Sequence, residues 1–188
     1  MFKPGKSHTH HRDDVFIAYG ANLPNGYLNG LQALESVVKG LTQAGLCVIS
    51  LSSLWRSQAW PNPEDPPYHN AVMRVSTDLS PEKLLELLHE TEASAGRIRT
   101  LYLSRRNAPR PLDLDLIAYG DVVCDGRIIL PHPRAHERGF VMGPMSEIAP
   151  DWRHPALGLD AVQLYRMATV GMDAYPAEDT AGLLDAAR

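Results

Sequence analysis

The sequence predicts an α+β domain with a largely antiparallel sheet, helices on one face and mobile loops over the other. Strand and helix patterns follow one another in the order β-α-β-β-α-β, and no internal repeat interrupts them. The 188 residues fit one domain better than two. This order is the split arrangement of ferredoxin-like domains.

The first half of this unit is predicted from apolar periodicity and turn residues. A short apolar run over 15–19 predicts a buried strand, and residues 20–22 predict the turn that follows it. A helix is expected to open at 25–26 and to end at Gly45, because leucine and valine recur there at helical spacing. Residues 46–55 predict one second strand.

The next elements are predicted from proline and capping signals. Residues 57–67 hold four prolines, which exclude a helix or a central strand and favour an ordered loop or a lid. A third strand is expected over 70–77. Ser80 and Pro81 predict the start of a second helix, which ends at Gly96.

The remaining elements are shorter. Residues 112–119 predict a fourth strand, 121–129 a hairpin into another short strand, and 160–169 a helix. We expect a disordered leader over 1–14, one domain over 15–157, and a C-terminal helix with a tail over 158–188.

Composition excludes several classes of protein. The chain is 44 % apolar and 21 % charged with a formal charge of −4, which argues against a general role on nucleic acid or a membrane surface. No apolar run approaches the ~20 residues of a membrane span, and the first residues are polar, so we expect a cytoplasmic protein.

Cys47 and Cys124 are expected to be reduced, half-buried thiols. Residues 5–7 resemble the end of a P-loop, but no glycine or strand precedes them.

Arginine is concentrated in one segment. Residues 97–138 hold eight arginines, no lysine and five acids, and the stretch 97–110 holds five arginines and no acid. Guanidinium groups bind phosphate oxygens in pairs and keep their charge. Such a cluster is typical either of a polyanion site or of a solvated basic loop, and composition does not separate the two.

Two aspartates follow this cluster in a predicted strand. Because side chains alternate along a strand, Asp113 and Asp115 share one face, and the leucines beside them share the other. Carboxylates ~6–7 Å apart on one face repel each other unless a cation lies near, and Mg²⁺ prefers oxygen ligands. A solvated face or pairing with nearby arginines is equally compatible with the spacing. Together, the arginines and paired carboxylates suit phosphoryl or pyrophosphoryl transfer, with the proline-rich loop excluding water.

Residues 106–117 read Arg-Asn-Ala-Pro-Arg-Pro-Leu-Asp-Leu-Asp-Leu-Ile. This segment is similar to the signature of the 6-hydroxymethyl-7,8-dihydropterin pyrophosphokinase family of folate biosynthesis. Other landmarks occur in the family's order: Tyr19-Gly-Ala-Asn-Leu, Tyr68-His-Asn-Ala, Glu92 before Arg97 and Arg99, Leu130-Pro-His-Pro, and Arg138-Gly-Phe. The resemblance covers residues 15–157.

The resemblance implies an ATP-dependent diphosphokinase that transfers the β,γ-pyrophosphate of ATP to the pterin hydroxymethyl group and releases AMP. It implies two Mg²⁺ ions held by Asp113 and Asp115. The implied catalytic residues are Arg97, Arg99, Arg110, Asp113 and Asp115. The implied ATP-binding residues are Glu92, Arg97, Arg110, Leu116, Ile128, Ile129, His132 and Arg138. The implied pterin-binding residues are Ser57, Ala59, Trp60, Tyr68, Asn70 and Phe140, with Tyr68 and Phe140 stacking on the ring. The implied partners are these two substrates, without nucleic acid or membrane, and the chain is expected to be a monomer.

Two departures from the family pattern keep alternatives open. Asn107 stands where the family commonly has tryptophan, and the segment 99–110 is longer than the family's, so Tyr102 or Trp60 would have to cover the site. The alternatives are a diverged paralogue with another acceptor and a ferredoxin-like RNA-binding module, although an aromatic RNP-type motif is missing. No residue is an evident general base, and metal-bound hydroxide, Asp115 and phosphate stay open.

Overall fold

The computed structural model describes residues 14–22, 29–59, 64–97 and 111–186. The strands are β1 Val15–Ala21, β2 Cys47–Leu51, β3 Leu54–Ser57, β4 Tyr68–Ser76, β5 Asp113–Tyr119, β6 Cys124–Asp125, β7 Ile129–Leu130 and β8 Tyr175–Glu178. The helices are α1 Gly30–Gln43, α2 Pro81–Ser94, α3 Gly139–Ile148, α4 Ala161–Met167 and α5 Ala181–Ala186, with a 3-10 turn at Ala135–Glu137.

The main sheet confirms the predicted α+β class and its split topology. Its strands lie in the order β5-β1-β4-β3-β8, and β2 also pairs with β4. All of these pairings are antiparallel. The first strand therefore lies between the third and fourth strands of the unit, as the split β-α-β-β-α-β order requires. The predicted hairpin is confirmed by the separate pair β6-β7.

The single strand predicted over 46–55 is wrong, because the segment divides into β2 and β3. Both strands pair with β4, and the break lies at Ser52 and Ser53. There the Ser52 hydroxyl accepts a hydrogen bond from the Val72 amide at 2.9 Å, and the Ser52 amide donates to the Val72 carbonyl at 3.0 Å. The serine side chain thus satisfies a backbone group of β4 where the neighbouring chain bends.

The two long helices begin at polar caps. The start of α1 at 25–26 is wrong: the helix begins after Asn29, whose side chain accepts the Gln32 amide at 2.9 Å. The start of α2 is confirmed, since the Ser80 side chain accepts from the Lys83 amide and proline occupies the first turn. Asparagine is a good cap at either place in the α1 segment, so sequence alone does not choose between them.

Helices cover both faces of the sheet. α1 and α2 pack on one face over an apolar core that includes Tyr19, Leu34, Met73, Leu88 and Leu114. α3 and α4 pack on the other face, over Phe16, Val72, Ile117, Met142 and Leu164. The sequence predicted helices on one face only. α3 is apolar and buried around most of its circumference. Its sequence therefore lacks the amphipathic periodicity from which a helix on this face could be predicted.

The C-terminal residues complete one edge of the sheet. β8 pairs with β3, and the Thr180 hydroxyl donates to the Ser52 carbonyl at 2.8 Å. The segment 171–188 gave only weak sequence signals, because β8 is four exposed residues with a proline among them.

Two further expectations concern cysteines and membranes. Cys47 and Cys124 are free thiols as expected, but both are exposed, so the half-buried expectation is wrong. Among the helices in the described ranges, none is both long enough and apolar enough to span a membrane.

Candidate active site

A row of four residues crosses the α3 face of the sheet near one end. Antiparallel register places Asp113 of β5 beside Gly20 of β1, Gly20 beside Asn70 of β4, and Asn70 beside Trp55 of β3. Gly20 carries no side chain, and a Cβ there would lie 3.8 Å from the Asp113 Cβ and 3.9 Å from the Asn70 Oδ1. Asp113 and Asn70 therefore flank an open position on β1.

The alternation predicted for β5 is confirmed. The side chains of Asp113 and Asp115 are 25 % and 36 % exposed, whereas Leu112, Leu114 and Leu116 are buried in the core under α1 and α2. One strand thus supplies both a core and a polar surface, on opposite faces.

Arg97 connects the end of α2 to the acidic strand. Its guanidinium donates to the Asp113 carboxylate at 2.5 Å and to the Glu92 carboxylate. Glu92 is only 1 % exposed and also accepts the Leu114 amide at 2.8 Å. Burial alone would lower the pKa of Arg97, but the carboxylates of Asp113 and Glu92 raise it above its ordinary value. The buried Glu92 charge is therefore paired, and it fixes both Arg97 and the start of β5.

A second cationic group lies beside Asp115. The Arg138 guanidinium approaches the Asp115 carboxylate at 3.5 Å and lies 5.7 Å from the centre of the Phe140 ring. The His132 Nε2 is 3.9 Å from the same carboxylate, and the His132 amide donates to the Ile117 carbonyl at 2.8 Å. Burial lowers the pKa of His132, and Asp115 offsets this only in part. Asp115 therefore lies beside the Arg138 guanidinium, a permanent cation, and the His132 imidazole.

A cavity of about 510 Å³ adjoins His132. It is lined by the β6-β7 hairpin with Cys124 and Ile129, by the segment after the hairpin with His136, and by the turn between α3 and α4 with Leu157. Two predicted ATP-binding residues, Ile129 and His132, therefore share one concave surface beside Asp115.

The predicted pterin-binding residues on β4 and β3 lie on the side of Gly20 away from Asp113. The Asn70 side-chain amide donates to the Ser57 hydroxyl at 3.0 Å, inside the protein. Tyr68 pairs with Ser57 in the ladder and shares a face of β4 with Asn70. Phe140 packs against the α3-face core, and Ala59 is buried. The structure thus groups the predicted acceptor residues along β3, β4 and the start of α3.

Some predicted residues are not brought into this set. Leu116 and Ile128 pack in or against the core under α1 and α2, on the face opposite the aspartates. Arg99, Arg110 and Trp60 lie outside the described residues, as do Tyr102 and Asn107.

Sequence reasoning missed two anchoring carboxylates. Glu147 accepts the Ser53 amide at 2.9 Å and the Trp55 indole N–H at 2.8 Å. Asp173 accepts the Gln58 amide at 2.6 Å. Glu147 lies 94 positions from Ser53, and Asp173 lies 115 positions from Gln58. No local sequence pattern could therefore predict these contacts.

Comparison with known proteins gives a consistent result. Residues 16–150 match the family model described as 7,8-dihydro-6-hydroxymethylpterin-pyrophosphokinase (HPPK). A 2-amino-4-hydroxy-6-hydroxymethyldihydropteridine pyrophosphokinase of Methylorubrum extorquens is 40 % identical over 138 residues, which cover 73 % of this chain and 83 % of the relative. The folic acid synthesis protein fol1 of Pneumocystis carinii is 34 % identical over 152 residues, 80 % of this chain. The match spans only 20 % of that longer protein.

Solved structures agree in fold. The Plasmodium falciparum HPPK-DHPS triple mutant with pteroate superimposes with a TM-score of 0.62 over 86 % of this chain and 46 % of that chain. Sequence identity in this superposition is 10 %, so the likeness concerns the fold.

Proposed function

Because the chain belongs to the 7,8-dihydro-6-hydroxymethylpterin-pyrophosphokinase family, we propose that it transfers pyrophosphate from ATP to the hydroxymethyl group of 6-hydroxymethyl-7,8-dihydropterin. The reaction releases AMP and belongs to folate biosynthesis. One observation carries the proposal for this chain. Arg97 and Arg138 pair with Asp113 and Asp115, which share one face of β5. On the same face of the sheet, Gly20 separates these aspartates from Asn70. Converging cations beside paired carboxylates suit a reaction that needs positioning and charge neutralisation more than covalent chemistry.

Asp113 and Asp115 suit Mg²⁺, which we propose as two bound ions. Both side chains are part-exposed carboxylates facing the same way, and Mg²⁺ prefers oxygen ligands with open positions. Within the described ranges no three acidic, histidine or cysteine side chains gather as a metal cluster. Two carboxylates would thus leave further positions to phosphate oxygens and water. Bound Mg²⁺ would neutralise charge on the phosphates.

The nucleotide side is proposed to consist of Arg97, Arg138 and the cavity beside His132. Guanidinium groups at Asp113 and Asp115 can bind phosphate oxygens next to the metal ligands. The exposed Ile129 side chain and the neutral form of His132 line a surface fit for the adenosine part. Glu92 is buried beneath Arg97 and would act on ATP through it. Arg99 and Arg110 complete the predicted nucleotide set. The family resemblance also implies Leu116 and Ile128, but both pack in or against the core under α1 and α2, on the face opposite the aspartates.

We propose that Asn70 on the acceptor side hydrogen-bonds to the edge of the pterin and that aromatic side chains stack on its ring. The Asn70 amide is held by Ser57, so its orientation is fixed before a ligand binds. Tyr68 and Phe140 offer flat rings on the same side of the sheet, which suits a bicyclic acceptor. Ala59 and Trp60 complete the predicted set.

The test is AMP release from ATP by the full chain, with and without the pterin and with and without Mg²⁺. We expect AMP only when ATP, pterin and Mg²⁺ are present together, and chelation by EDTA should remove the activity. Binding of ATP without pterin-dependent AMP would instead indicate a different acceptor. RNA binding that weakens with salt, without nucleotide turnover, would replace the proposal by the RNA-binding module.

The monomeric state and the cytoplasmic location stay predictions. Light scattering during size-exclusion chromatography would measure the mass in solution, and the chain mass of 20.7 kDa is the expected value.

A further inference from the structure

Residues 169–173, here called the C-terminal bridge, join α4 to β8 and lie beyond the region 16–150 that matches the family model. Both ends of this bridge are held by hydrogen bonds to distant parts of the chain. One end lies against the start of α3, and the other lies against the loop that follows β3. The bridge therefore connects two elements that carry proposed pterin-binding residues.

The first end is fixed at Glu137, Gly139 and Phe140. The amides of Thr169 and Val170 donate to the Glu137 carbonyl at 3.0 Å, and the Gly139 amide donates to the Val170 carbonyl at 2.7 Å. Gly171 follows with a φ of +66°, and a Cβ on it would come within 2.2 Å of the Phe140 ring. The backbone of Gly171 thus lies close to the Phe140 ring, and a side chain would have to displace the ring.

The second end is fixed at the loop after β3. The Asp173 carboxylate accepts the Gln58 amide at 2.6 Å, and β8 then pairs with β3. Gln58 directly follows Ser57, whose hydroxyl holds the Asn70 side chain. The C-terminal bridge thus contacts the Phe140 ring through Gly171 and holds Gln58 through Asp173. Gln58 is the neighbour of Ser57, which holds Asn70.

We propose that the C-terminal bridge positions the acceptor side of the site and sets the affinity for the pterin. Asp173 and Gly171 are positioning residues: Asp173 acts through Gln58 and Ser57, and Gly171 acts through Phe140. On the nucleotide side, Arg97 is held by Glu92 and Asp113 on α2 and β5, away from this bridge. Arg138 lies next to the bridge, because Val170 pairs with it and the Phe140 ring is 5.7 Å from its guanidinium, so the effect on ATP should be smaller than the effect on the pterin but not absent. This inference rests on the proposed function, because it concerns the pterin of that reaction.

Gly171→Ala and Gly158→Ala form a matched pair. Gly158 has a nearly equal φ of +69°, but a Cβ there would meet nothing within 4 Å. Both substitutions strain a left-handed backbone, and only Gly171→Ala moves Phe140. We expect Gly171→Ala to raise the KM for the pterin about tenfold through displacement of one positioned ring. Gly158→Ala should leave that KM unchanged. In Gly171→Ala the ATP affinity measured without pterin should fall much less than the pterin affinity, because Arg97 keeps its position and only Arg138 contacts the displaced ring.

Asp173→Ala and Asp173→Asn test the other end at an exposed residue. Asp173→Ala removes the acceptor of the Gln58 amide, whereas Asp173→Asn keeps an oxygen there. We expect Asp173→Ala to raise the pterin KM about fivefold, as loss of one hydrogen bond would, and Asp173→Asn to restore most of that loss. The kcat at saturating pterin should change less than KM in each variant.

The outcomes separate this inference from the proposed function. If the unaltered chain shows no pterin-dependent AMP release, the proposed function fails and the inference fails with it. If the unaltered chain is active but Gly171→Ala matches Gly158→Ala in pterin KM, and Asp173→Ala matches the unaltered chain, only the positioning role is overturned. Equal losses in pterin KM and ATP affinity would also overturn it, since they would indicate a general structural defect.

Discussion

The two faces of the main sheet are built from the same strands and serve different ends. Under α1 and α2 the face is apolar along its length, and it supplies the larger core. Under α3 and α4 the face is apolar at one end and carries Asp113, Asp115 and Asn70 at the other. Because strand side chains alternate, stability and chemistry are assigned to neighbouring residues that point in opposite directions. Substitutions one position apart on β5 should therefore have opposite consequences.

Asp115→Asn should have the largest effect, and on activity alone. Losing one of two metal-binding carboxylates removes charge stabilisation at the reacting phosphates, so pterin-dependent AMP release should fall roughly a thousandfold. Thermal unfolding should change little, because the side chain is 36 % exposed. Asp121→Asn, an exposed acid just past β5, is the matched control and should keep full activity. Comparable activity in Asp115→Asn and Asp121→Asn would contradict the metal assignment.

Leu114→Ala should have the opposite effect, from the residue between the two aspartates. Leu114 is buried in the core under α1 and α2, so truncation should cost about 3 kcal/mol in the free energy of unfolding. The pterin and ATP KM values of the folded variant should stay near those of the unaltered chain. Val123→Ala, at a 58 % exposed position, should change the unfolding free energy in urea by less than about 0.5 kcal/mol. A Leu114→Ala variant that unfolds like Val123→Ala would remove the distinction between the faces.

The elements that sequence predicts well are those with local signals. α2 was predicted from Ser80 and Pro81, because a cap and a proline act within one turn. The alternation of β5 was predicted from six consecutive letters. By contrast, the split between β2 and β3 depends on the pairing of both with one distant strand, and β8 depends on β3. Long-range pairing leaves little trace in the residues that take part in it.

The candidate site follows the same division. Paired aspartates predicted a polar face, and the structure confirms that face, but composition could not say which arginines approach it. Arg97 and Arg138 do so because Glu92 and the start of α3 hold them. The anchors Glu147 and Asp173 could not be predicted, since each is an ordinary acid whose partners are backbone amides far along the chain.

Glu92→Gln sharpens the comparison, because Glu92 is buried at the boundary between the faces. Its carboxylate holds the Leu114 amide on the core side and Arg97 on the site side. Glutamine keeps an acceptor but removes the charge, so we expect a loss of about 2 kcal/mol in the unfolding free energy. A loss of about tenfold in activity should accompany it, because Arg97 loses the charge of one of its two paired carboxylates. Glu90→Gln, exposed on the same helix, should change neither. Normal unfolding and normal activity in Glu92→Gln would show that this buried charge pair carries neither role.

His154→Asn should give the smallest effect, a change in pH dependence confined to the α3 face. His154 is 6 % exposed and contacts Trp152, which contacts Phe16. Burial, with a smaller effect of His136, lowers the pKa of His154 below 6.5, so the unfolded chain takes up a proton first as pH falls. The contribution of His154 to stability is therefore complete above pH 6.5 and is lost as pH falls through the folded-state pKa.

Asparagine is the informative replacement, because its oxygen can accept the Ala156 and Leu157 amides that His154 Nδ1 accepts, but it cannot be protonated. Between about pH 8 and about pH 5, the free energy of unfolding measured in urea should fall more for the unaltered chain than for the variant. The gap in this free energy between the two proteins should therefore be smaller at acid pH. The His136 ring lies 5.8 Å from the His154 ring, so the change in that gap belongs to His154 together with its interaction with His136. A gap that stays constant across this range would mean that His154 is protonated equally in the folded and unfolded chains.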